Sequence, residues 1–373
     1  MNPVSRLRRS ASARIARPLA ERGRLLLGAA RVGLYPTAGA SPGEKGAWRR
    51  VSENARWALR HGEVNDYYYL YGLHRDGAPP PDDFLAVREM MSLIGRQIRE
   101  DGAQAVAGVL KDKYLFSLVA DALGHRSPRV LAFLDPEGVT WLTPRKTAPY
   151  GALASGGGAV DGFVKPLRGR QATGAFTLQI REGTLRVGGR ETSPADVQAR
   201  IGERSILQER IVQHEALAAL HAPSINTARL VTTLRDGVAT PLVAALRVGT
   251  GGAAVDNWSA GGLVAAIDLE AGRLRGRGLY KPGTRDRLRA APLDRHPDSG
   301  VLLDGYALPF FQEGVALACA FHRDLGAPRS VGWDLAVTPD GPVLVEGNTS
   351  WNGAMFMALD AGFKRRYFGA VGL

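Results

Sequence analysis

The stretch Val331-Gly-Trp-Asp-Leu-Ala-Val-Thr-Pro-Asp-Gly-Pro-Val-Leu-Val-Glu-Gly-Asn348 contains two runs rich in valine and leucine, separated by Pro339-Asp-Gly341. Proline, aspartate and glycine are typical of a tight reversal, and β-branched residues on either side favour strands. The stretch therefore predicts a β-hairpin near the end of the chain. Alternation of side chains along a strand places Trp333 on one face and Asp334 on the other.

The expected register of this hairpin brings two carboxylates together. If Thr338 lies opposite Pro342 across the turn, Asp334 lies directly opposite Glu346. Asn348 is two residues past Glu346 and therefore shares its face. Opposed Cβ atoms lie about 4.5–5.5 Å apart, and like charges there are destabilising. A bound cation would relieve this repulsion.

Three oxygen-bearing side chains on this face, Asp334, Glu346 and Asn348, are candidate ligands for Mg²⁺ or Mn²⁺. Hard divalent cations bind carboxylate and amide oxygens, and Mg²⁺ usually completes its shell with water and substrate phosphates. Gly332 is expected opposite Asn348, which predicts open space above the three ligands. A solvated hairpin face is the alternative interpretation of an Asp/Glu pair.

Length and composition restrict the class of protein. A chain of 373 residues can form a large core with two or three lobes. Apolar residues make up 45% and charged residues 23% of it, as in ordinary soluble proteins. Its one cysteine, Cys319, excludes an internal disulfide and a cysteine zinc cluster, which fits a reducing cytoplasm. We therefore expect a cytoplasmic protein.

Positive charge is concentrated at the start of the chain. The formal net charge is +12, and residues 1–31 supply +7 of it, because eight arginines there face a single acid, Glu21. Such a basic arm is typical of binding to an anionic surface such as phospholipid or nucleic acid. Its longest uncharged apolar run, residues 25–30, is too short to span a bilayer. We expect the arm to attach the protein peripherally to the inner face of a membrane.

A helical region is predicted after the arm and its linker. Trp48, Val51, Ala55 and Leu59 recur at helical spacing, which predicts that they form the buried face of one helix. A second apolar period of the same kind runs from Phe84 to Ile98.

Lysine is scarce in this chain, with seven lysines against forty-one arginines. Lys113 opens a predicted helix, and Lys165 ends the short strand Gly162-Phe-Val-Lys165. A lysine ammonium acts toward phosphate as a compact point charge, whereas arginine presents a wide planar fork. Lysine at these two positions therefore indicates a functional role, and an ordinary solvated charge is the alternative.

A basic loop containing glycine follows Lys165. Residues 166–174, Pro-Leu-Arg-Gly-Arg-Gln-Ala-Thr-Gly, connect two predicted strands. Such a loop can present backbone N–H groups and the side chains of Arg168 or Arg170 to phosphates. Because a strand rather than a helix follows it, the loop does not fit the P-loop NTPases.

Two further arginines lie within apolar predicted strands. Arg229 is flanked by Ala228 and Leu230, and Arg247 lies near the end of the strand predicted over 241–248. Partly buried arginines are seldom unpaired. Each therefore predicts an anionic partner.

In this order along the chain, the motifs resemble those of the ATP-grasp ligases. The sequence is most similar to the sugar-transfer-associated ATP-grasp family, which is related to α-L-glutamate ligase-like proteins, and the strand aspartate followed by Glu-Gly-Asn carries the resemblance. It implies that Asp334, Glu346 and Asn348 hold the metal ion that bridges the phosphates of ATP. It also implies that Lys113 and Lys165 are the two lysines that bind ATP.

The resemblance also identifies residues 206–212, Ile-Leu-Gln-Glu-Arg-Ile-Val, as the hinge strand that receives adenine. It implies that Gln208 and Glu209 belong to the adenine site, with Glu209 hydrogen-bonding the base. The backbone groups of Arg210 and Ile211 would read the edge of the base. An ordinary buried strand is the alternative.

The fold implied by the resemblance is α+β, an ATP-grasp fold whose two lobes close on ATP between antiparallel sheets, after a helical N-terminal extension. Arg229 and Arg247 would be catalytic groups near the γ-phosphate and the reacting carboxylate. The expected parts are a basic arm and linker (1–47), a helical region (48–110), a first lobe (111–205) and a second lobe with the metal hairpin (206–373).

The implied activity is an ADP-forming ligation of a carboxylate to an amine through an acyl phosphate, with ATP and Mg²⁺. Sugar-linked substrates and a role in cell-surface polysaccharide or glycoconjugate biosynthesis are expected. A kinase that phosphorylates a hydroxyl group remains an alternative, because the sequence does not distinguish acceptors. A basic nucleic-acid-binding protein is a weaker alternative, since the charge lies mainly in the terminal arm and no binding module is recognised. No nucleic-acid partner is therefore expected.

Overall fold

The computed structural model describes residues 19–36, 43–154, 158–167, 174–283, 288–289 and 291–373. In the part of the chain so described, no helix is both long and apolar enough to cross a bilayer. The α-helices are α1 (Leu19–Gly33), α2 (Ala47–His61), α3 (Val87–Glu100), α4 (Gln104–Lys111), α5 (Lys113–Ala122), α6 (Pro194–Ala199), α7 (Glu215–Leu220), α8 (Phe311–Leu325), α9 (Ala354–Leu359) and α10 (Phe363–Ala370). The strands are β1 (Val130–Asp135), β2 (Gly138–Leu142), β3 (Arg145–Ala148), β4 (Val160–Pro166), β5 (Phe176–Arg181), β6 (Thr184–Val187), β7 (Arg190–Thr192), β8 (Ser205–Glu209), β9 (Ala228–Arg235), β10 (Val238–Val248), β11 (Leu263–Asp268), β12 (Arg273–Tyr280), β13 (Ser330–Thr338) and β14 (Gly341–Asn348).

The first eight strands form one antiparallel sheet in the order β3-β2-β1-β8-β4-β5-β6-β7. The alternating apolar residues of β1, β5 and β8 bury Leu134, Leu178 and Leu207 in its core. The expected hinge strand β8 pairs with β1 on one side and β4 on the other. The boundary expected between residues 205 and 206 thus coincides with the start of a central strand of this sheet, and the division into lobes stays a prediction.

The other six strands form a second antiparallel sheet in the order β12-β11-β10-β9-β13-β14. Helix α8 covers one face, where Phe321 packs on Trp333 with ring centroids 5.5 Å apart. The N-terminal and C-terminal helices cover the opposite face, where Val231, Ala245 and Trp351 belong to one core. Two antiparallel sheets with packed helices confirm the α+β fold expected from the sequence.

Strands β13 and β14 form the expected hairpin, although its turn is one residue shorter. Thr338 pairs with Gly341 and not with Pro342. A β-bulge in β14 then adds one residue and restores Asp334 to its place opposite Glu346. The expected pairing of the carboxylates is therefore confirmed, while the register at the turn was wrong.

The space above Gly332 is filled by an aromatic ring. A Cβ at Gly332 would lie 2.8 Å from the Cβ of Trp351, closer than real side chains approach. The indole of Trp351 is 1% exposed and packs in the core on this face. The expectation of open space at Gly332 was wrong, and glycine is needed there to admit Trp351.

Helix α1 packs closely on α2. A Cβ on Gly33 would lie 2.6 Å from backbone atoms of Val51, so glycine allows the two helices to touch. Ala29 and Val32 are buried, and Tyr69 donates its hydroxyl to the carbonyl of Val32 (2.9 Å). The basic segment from residue 19 onward is therefore part of the packed helical region, and residues 1–18 of the expected arm lie outside the described residues.

The buried face of α2 differs from the expected one. Trp48 and Leu59 are 83% and 49% exposed. Arg50 is buried instead, and its Nε donates to the carbonyl of Gly33 (3.0 Å). A pattern of apolar residues could not show this, because hydrogen bonds to backbone carbonyls compensate the burial of polar side chains. The buried residues of the helix are Arg50, Asn54, Trp57 and Ala58.

Candidate active site

Three neighbouring strands place Arg229, Asp334 and Glu346 in one row across the second sheet. Asp334 on β13 pairs with Arg229 on β9 and with Glu346 on β14. Arg229 pairs with Ala245 on β10, so Arg247, two residues further on, lies on the same face. This charged row brings two of the expected metal ligands together with both expected catalytic arginines.

Both arginines bind the carboxylate of Asp334. Arg229 donates through Nε and through Nη2, the latter 3.0 Å from Oδ2. The Nη2 of Arg247 lies 2.9 Å from the same oxygen. Asp334 is 3% exposed, and burial alone would raise its pKa, but the two guanidinium charges outweigh burial and hold the pKa well below its ordinary value. Asp334 is therefore ionised and firmly positioned.

Two side chains without an expected role fix Arg247. Its Nε lies 3.1 Å from the hydroxyl of Thr227 and 3.4 Å from Oδ2 of Asp256. The backbone N–H of Thr227 donates to that same Asp256 oxygen (2.9 Å). Arg247 and Asp256 are the only charged residues from position 237 to position 267. That isolation was the feature of the sequence from which their pairing could have been inferred.

Glu346 and Asn348 lie at the end of the charged row. The side-chain amide of Asn348 donates to Oε1 of Glu346 (3.0 Å). Burial and the neighbouring charge of Asp334 raise the pKa of Glu346. Among the described residues no ion pair neutralises Glu346, whereas Asp334 has two. The row therefore ends in a partly buried carboxylate that has no ion-pair partner within 4 Å among the described residues.

Glu346 and Asn348, at the end of the charged row, suit a metal ion better than Asp334 at its centre. Glu346 supplies an uncompensated carboxylate and Asn348 an amide, which are donors suited to Mg²⁺. Both oxygens of Asp334 already accept hydrogen bonds from arginine. Asp334 would therefore have to bind the guanidinium groups and the metal ion at the same time. The described residues contain no cluster of three or more His, Cys, Asp and Glu side chains that could hold a metal ion. A metal here would accordingly need the amide of Asn348 and ligands such as phosphate oxygens.

Lys113 and Lys165 face the charged row from the side of the first sheet. Lys113 is the first residue of α5, where the side chain of Asp112 caps the helix. The Nζ of Lys113 donates to the carbonyls of Pro166 (3.1 Å) and Leu167 (3.2 Å). The start of α5 is thus fastened to the end of the strand that carries Lys165.

The pKa values of Lys113 and Lys165 both depend on the carboxylate of Glu346. Burial lowers the pKa of Lys165 to about 8, with Glu346 acting in the opposite direction and Lys113 adding to the decrease. Burial also lowers the pKa of Lys113, again opposed by Glu346. Both ammonium groups therefore lie within electrostatic range of Glu346.

The family of the chain follows from its sequence over this same region. Residues 103–370 match the family model described as sugar-transfer associated ATP-grasp, which is well over half of the chain. The chain belongs to the sugar-transfer associated ATP-grasp family. The charged row, both lysines and the hinge strand lie within the match, and helices α1 to α3 precede it.

Solved structures similar to this ATP-grasp protein share little sequence with it. N5-carboxyaminoimidazole ribonucleotide synthetase from Thermus thermophilus is 14% identical, with 75% of this chain and 59% of that chain covered and a TM-score of 0.40. D-Alanine-D-alanine ligase from Helicobacter pylori is 12% identical, with 71% and 58% covered and a TM-score of 0.36. A RimK domain ATP-grasp protein from Sphaerobacter thermophilus is 11% identical, with 70% and 67% covered and a TM-score of 0.36. The chain spans about half to two thirds of the length of such structures. No curated protein matches the chain.

The expected adenine-binding side chains of the hinge already have partners within the protein. Gln208 is buried, and its amide donates to the carbonyl of Pro128 (2.7 Å). The carboxylate of Glu209 forms an ion pair with Arg129, whose Nε lies 2.8 Å away. Gln208 therefore supports the loop before β1, and Glu209 would have to exchange Arg129 for a base.

Only some of the backbone groups of the hinge form hydrogen bonds within the described residues. The N–H of Arg210 donates to the carbonyl of Asp161 (3.2 Å), whereas Ile211 makes no backbone hydrogen bond within the described residues. Residues 209–212 line a cleft of about 580 Å³ together with the loop 124–129 and the tip of the β13–β14 hairpin. Arg168 and Arg170 of the expected phosphate loop lie outside the described residues.

Proposed function

We propose that this ATP-grasp protein is an ATP- and Mg²⁺-dependent ligase that joins a carboxylate to an amine through an acyl phosphate. The observation that carries the proposal is the convergence of Arg229 and Arg247 on one carboxylate, at a row that ends in the uncompensated Glu346. Paired guanidinium groups match carboxylates and phosphates in geometry and charge. The contacts of both arginines with the carboxylate of Asp334 support this assignment.

The reaction needs positioning and charge neutralisation more than a protein nucleophile. A carboxylate oxygen of the substrate attacks the γ-phosphorus of ATP, the bond to ADP breaks, and an acyl phosphate forms. The amine then attacks the acyl carbon, phosphate leaves, and the nitrogen loses a proton. The Arg229 and Arg247 side chains would orient the carboxylate and stabilise the charge on the transferring phosphoryl group.

The metal and the lysines would complete the phosphate site. Glu346 and Asn348, with an oxygen of Asp334, would hold the metal ion, which neutralises phosphate charge when bound. Lys113 and Lys165 would bind phosphate oxygens as point charges. A pKa of about 8 for Lys165 in the structure leaves it mostly protonated at pH 7, and a phosphate beside it would favour the charged form further.

The base of ATP would lie in the cleft at the hinge. The cleft contains Ile211, whose backbone groups have no partner among the described residues, and it reaches Thr338 at the hairpin tip. Thr338 is four residues from Asp334, which is about 13 Å along an extended strand. A nucleotide lying along β13 would therefore join the base cleft to the charged row. Arg129 would release Glu209 when the base binds.

The family description favours substrates connected with sugars. We infer that the carboxylate or the amine is linked to a sugar and that the reaction serves the assembly of a surface polysaccharide or glycoconjugate. The basic residues 1–18 would bring the enzyme to the anionic membrane face where such assembly takes place. The order of motifs and the description of the family support this assignment.

Hydroxylamine trapping tests the proposed reaction. The protein is incubated with ATP, Mg²⁺, hydroxylamine and a panel of amino acids and uronic acids, and the true carboxylate substrate should yield ADP and a hydroxamate. Arg247→Lys should reduce hydroxamate formation by about 100-fold while nucleotide affinity changes little, because a point charge loses the bidentate geometry. Arg235→Lys, an exposed position on β9, is the matched control and should be unchanged. Phosphorylation of a hydroxyl group without any dependence on carboxylate would contradict the ligase and establish a kinase.

A further inference from the structure

Large apolar side chains are exposed on α1 and α2, which precede the residues that match the family model. Leu19 and Leu26 of α1 are 84% and 41% exposed, and Trp48 and Leu59 of α2 are 83% and 49% exposed. Single exposed apolar residues are common on protein surfaces, whereas a contiguous group of them marks an interaction surface. The packing of the two helices decides whether these four side chains form such a group.

Helices α1 and α2 lie side by side and run in opposite directions. A Cβ on Gly33 would lie 2.6 Å from backbone atoms of Val51, and a Cβ on Gly28 would lie 2.5 Å from the side chain of Val64. Earlier positions of α1 therefore meet later positions of the following segment. The contact between Gly33 and Val51 identifies the side of each helix that borders the other.

The four exposed side chains border one seam between the helices. At about 3.6 residues per turn, Leu19 and Leu26 are rotated by about 20–40° from the contacting glycine of α1. Trp48 and Leu59 are rotated by about 60–80° from the contacting valine of α2, in the same sense. Because the helices are antiparallel, rotations in the same sense lead to the same outer side of the pair. We call these four side chains the apolar seam.

Exposed arginines lie further round both helices, beyond the apolar seam. Arg24 and Arg31 of α1 and Arg56 of α2 are exposed, and they form no ion pair among the described residues. Arg49 and Arg60, on the far side of α2, are each paired with an aspartate. The single glutamate of each helix is only partly exposed. The exposed residues of α1 and α2 thus include arginines and no acid.

The apolar seam begins where the basic residues 1–18 end. Leu19 follows this segment directly, and the segment contains five arginines and no acid. Positive charge on the helices is therefore continued by positive charge in the chain that precedes them. The surface joins exposed leucine and tryptophan to a cationic surrounding.

This combination distinguishes among three kinds of partner. Nucleic acid is held mainly through its phosphates, from which exposed leucines gain nothing. A second copy of this chain would bring like-charged arginines together, which disfavours association. An anionic bilayer suits both groups, because its headgroups attract arginine while leucine and tryptophan enter the boundary between headgroups and acyl chains.

We propose that α1 and α2 dock on an anionic phospholipid surface, with the apolar seam inserted among the headgroups and the flanking arginines on lipid phosphates. The proposal does not depend on the ligation proposed above. A single weak apolar anchor gives only marginal membrane binding, and stable attachment takes a second signal such as a polybasic segment. The apolar seam and residues 1–18 are therefore both needed.

Fluorescence of Trp48 tests the insertion directly. Trp48 is the exposed member of the six tryptophans, and the others are buried or half-buried. With phosphatidylserine vesicles at low salt, the emission of the full chain should shift to shorter wavelength and be quenched by lipids brominated on the acyl chains. Phosphatidylcholine vesicles should produce neither effect. Trp48→Phe should abolish the shift and most of the quenching while the protein still sediments with phosphatidylserine vesicles.

A matched pair of leucines tests the contribution of the apolar seam. Leu59 on α2 and Leu118 on α5 are both helical and both 49% exposed. Leu59→Ser should weaken sedimentation with phosphatidylserine vesicles by about 10-fold, the effect of burying part of one leucine. Leu118→Ser should leave it unchanged. Arg56→Gln should weaken it by about 5-fold at low salt. Because these side chains are exposed, each variant should keep the Tm of the wild type.

Four results would overturn the docking surface. Sedimentation without a change in Trp48 emission would show that residues 1–18 bind the membrane without insertion, and equal effects of Leu59→Ser and Leu118→Ser would show that the apolar seam contributes nothing. An oligonucleotide that displaces the vesicles and binds Leu59→Ser as well as the wild type would identify a nucleic-acid surface. A dimer without vesicles that Leu59→Ser dissociates would identify a contact between copies. Failure of ligation is detected separately, because hydroxamate formation is measured without vesicles and should be unchanged in Leu59→Ser.

Discussion

The neighbouring carboxylates Asp334 and Glu346 have opposite electrostatic surroundings. Two arginines compensate Asp334, whereas burial and the charge of Asp334 both act against ionisation of Glu346. The first is therefore a fixed charge, and the second is the position at which a bound cation would gain most. Substitution at Glu346 separates the two roles.

Glu346→Gln is expected to abolish ATP turnover, with at least about a 100-fold loss, because it removes the carboxylate at the centre of the proposed metal site. Without metal its Tm should stay the same or rise, since one of two opposed negative charges is removed. ADP release and differential scanning fluorimetry measure both effects. Glu191→Gln, an exposed position on β7, is the control. Normal turnover by Glu346→Gln would reject the metal site.

Residue types and spacing predicted the pairing of Asp334 with Glu346, but they did not identify the partners of Arg229 or of the hinge side chains. Asp334 and Glu346 lie on adjacent strands whose pairing follows from a short hairpin and alternating faces. The pairing of Arg229 with Asp334, 105 positions away, joins strands that are distant in the sequence. The partners of Gln208 and Glu209 are Pro128 and Arg129, about eighty positions away in sequence. Contacts at such separation depend on the order of strands in the sheet, which no local pattern contains.

At the scale of helices and strands, the sequence pattern missed two features that depend on contacts between neighbouring elements. The register of β13 and β14 depends on a bulge that compensates a shorter turn, and alternation alone cannot locate such a bulge. The buried face of α2 depends on its contact with α1, where Arg50 reaches the carbonyl of Gly33. Both features follow from packing partners and not from local periodicity.

Two glycines of α1 should respond to alanine in opposite ways. Gly33→Ala should lower the free energy of unfolding by about 1–3 kcal/mol, because its Cβ would overlap the backbone of Val51. Gly23→Ala is the matched control, since nothing lies within 4 Å of its Cβ, and it should raise that free energy by up to about 1 kcal/mol. Urea unfolding measures both. Equal effects would show that α1 is not docked on α2.

The joint between α8 and the second sheet should be sensitive to acid. The indole N–H of Trp333 donates to Thr232, whose hydroxyl can then donate to Nδ1 of His322, while Nε2 of His322 donates to the carbonyl of Pro328. This chain of hydrogen bonds requires a neutral imidazole. Burial lowers the pKa of His322 to about 4.

Because the folded-state pKa of His322 lies below the unfolded value near 6.5, the unfolded state takes up the proton first. Stability from this group should be complete above about pH 6.5 and should fall by about 3 kcal/mol as the pH approaches 4. Urea unfolding between about pH 7 and 4.5 measures the slope, and His322→Gln should remove part of it. Burial also lowers the pKa of His74 to about 4, so a remaining slope is expected from that residue. An NMR titration of His322 with a midpoint near 6.5 would contradict the prediction.

At the scale of the whole molecule, the N-terminal helices are built onto the face of the second sheet that carries the charged row. Val32 and Tyr71 share a core with Val231 of that sheet and with the C-terminal helices. The sequence indicated a helical region before the family-like part but gave no sign that it packs on this face. Such docking depends on which side chains meet across three separate regions of the chain.

Two truncations should distinguish the role of the basic residues 1–18 in membrane binding from the role of α1 in stability. Residues 1–18 carry five arginines and no acid. Near an anionic membrane each contributes about 1 kcal/mol, an effect that salt screens. Full-length protein should therefore sediment with phosphatidylserine vesicles at low salt, lose most binding at about 0.5 M salt, and ignore phosphatidylcholine vesicles.

Deletion of residues 1–18 should abolish vesicle binding and leave the Tm unchanged. Deletion of residues 1–33 should also lower the Tm, because it removes the buried Ala29 and Val32 and the carbonyl that accepts from Tyr69. Two buried aliphatic side chains and one hydrogen bond correspond to a loss of about 3–5 kcal/mol. If vesicle binding survives deletion of residues 1–18, the membrane surface lies elsewhere on the protein. If the Tm is unchanged after deletion of residues 1–33, α1 does not stabilise the packed region.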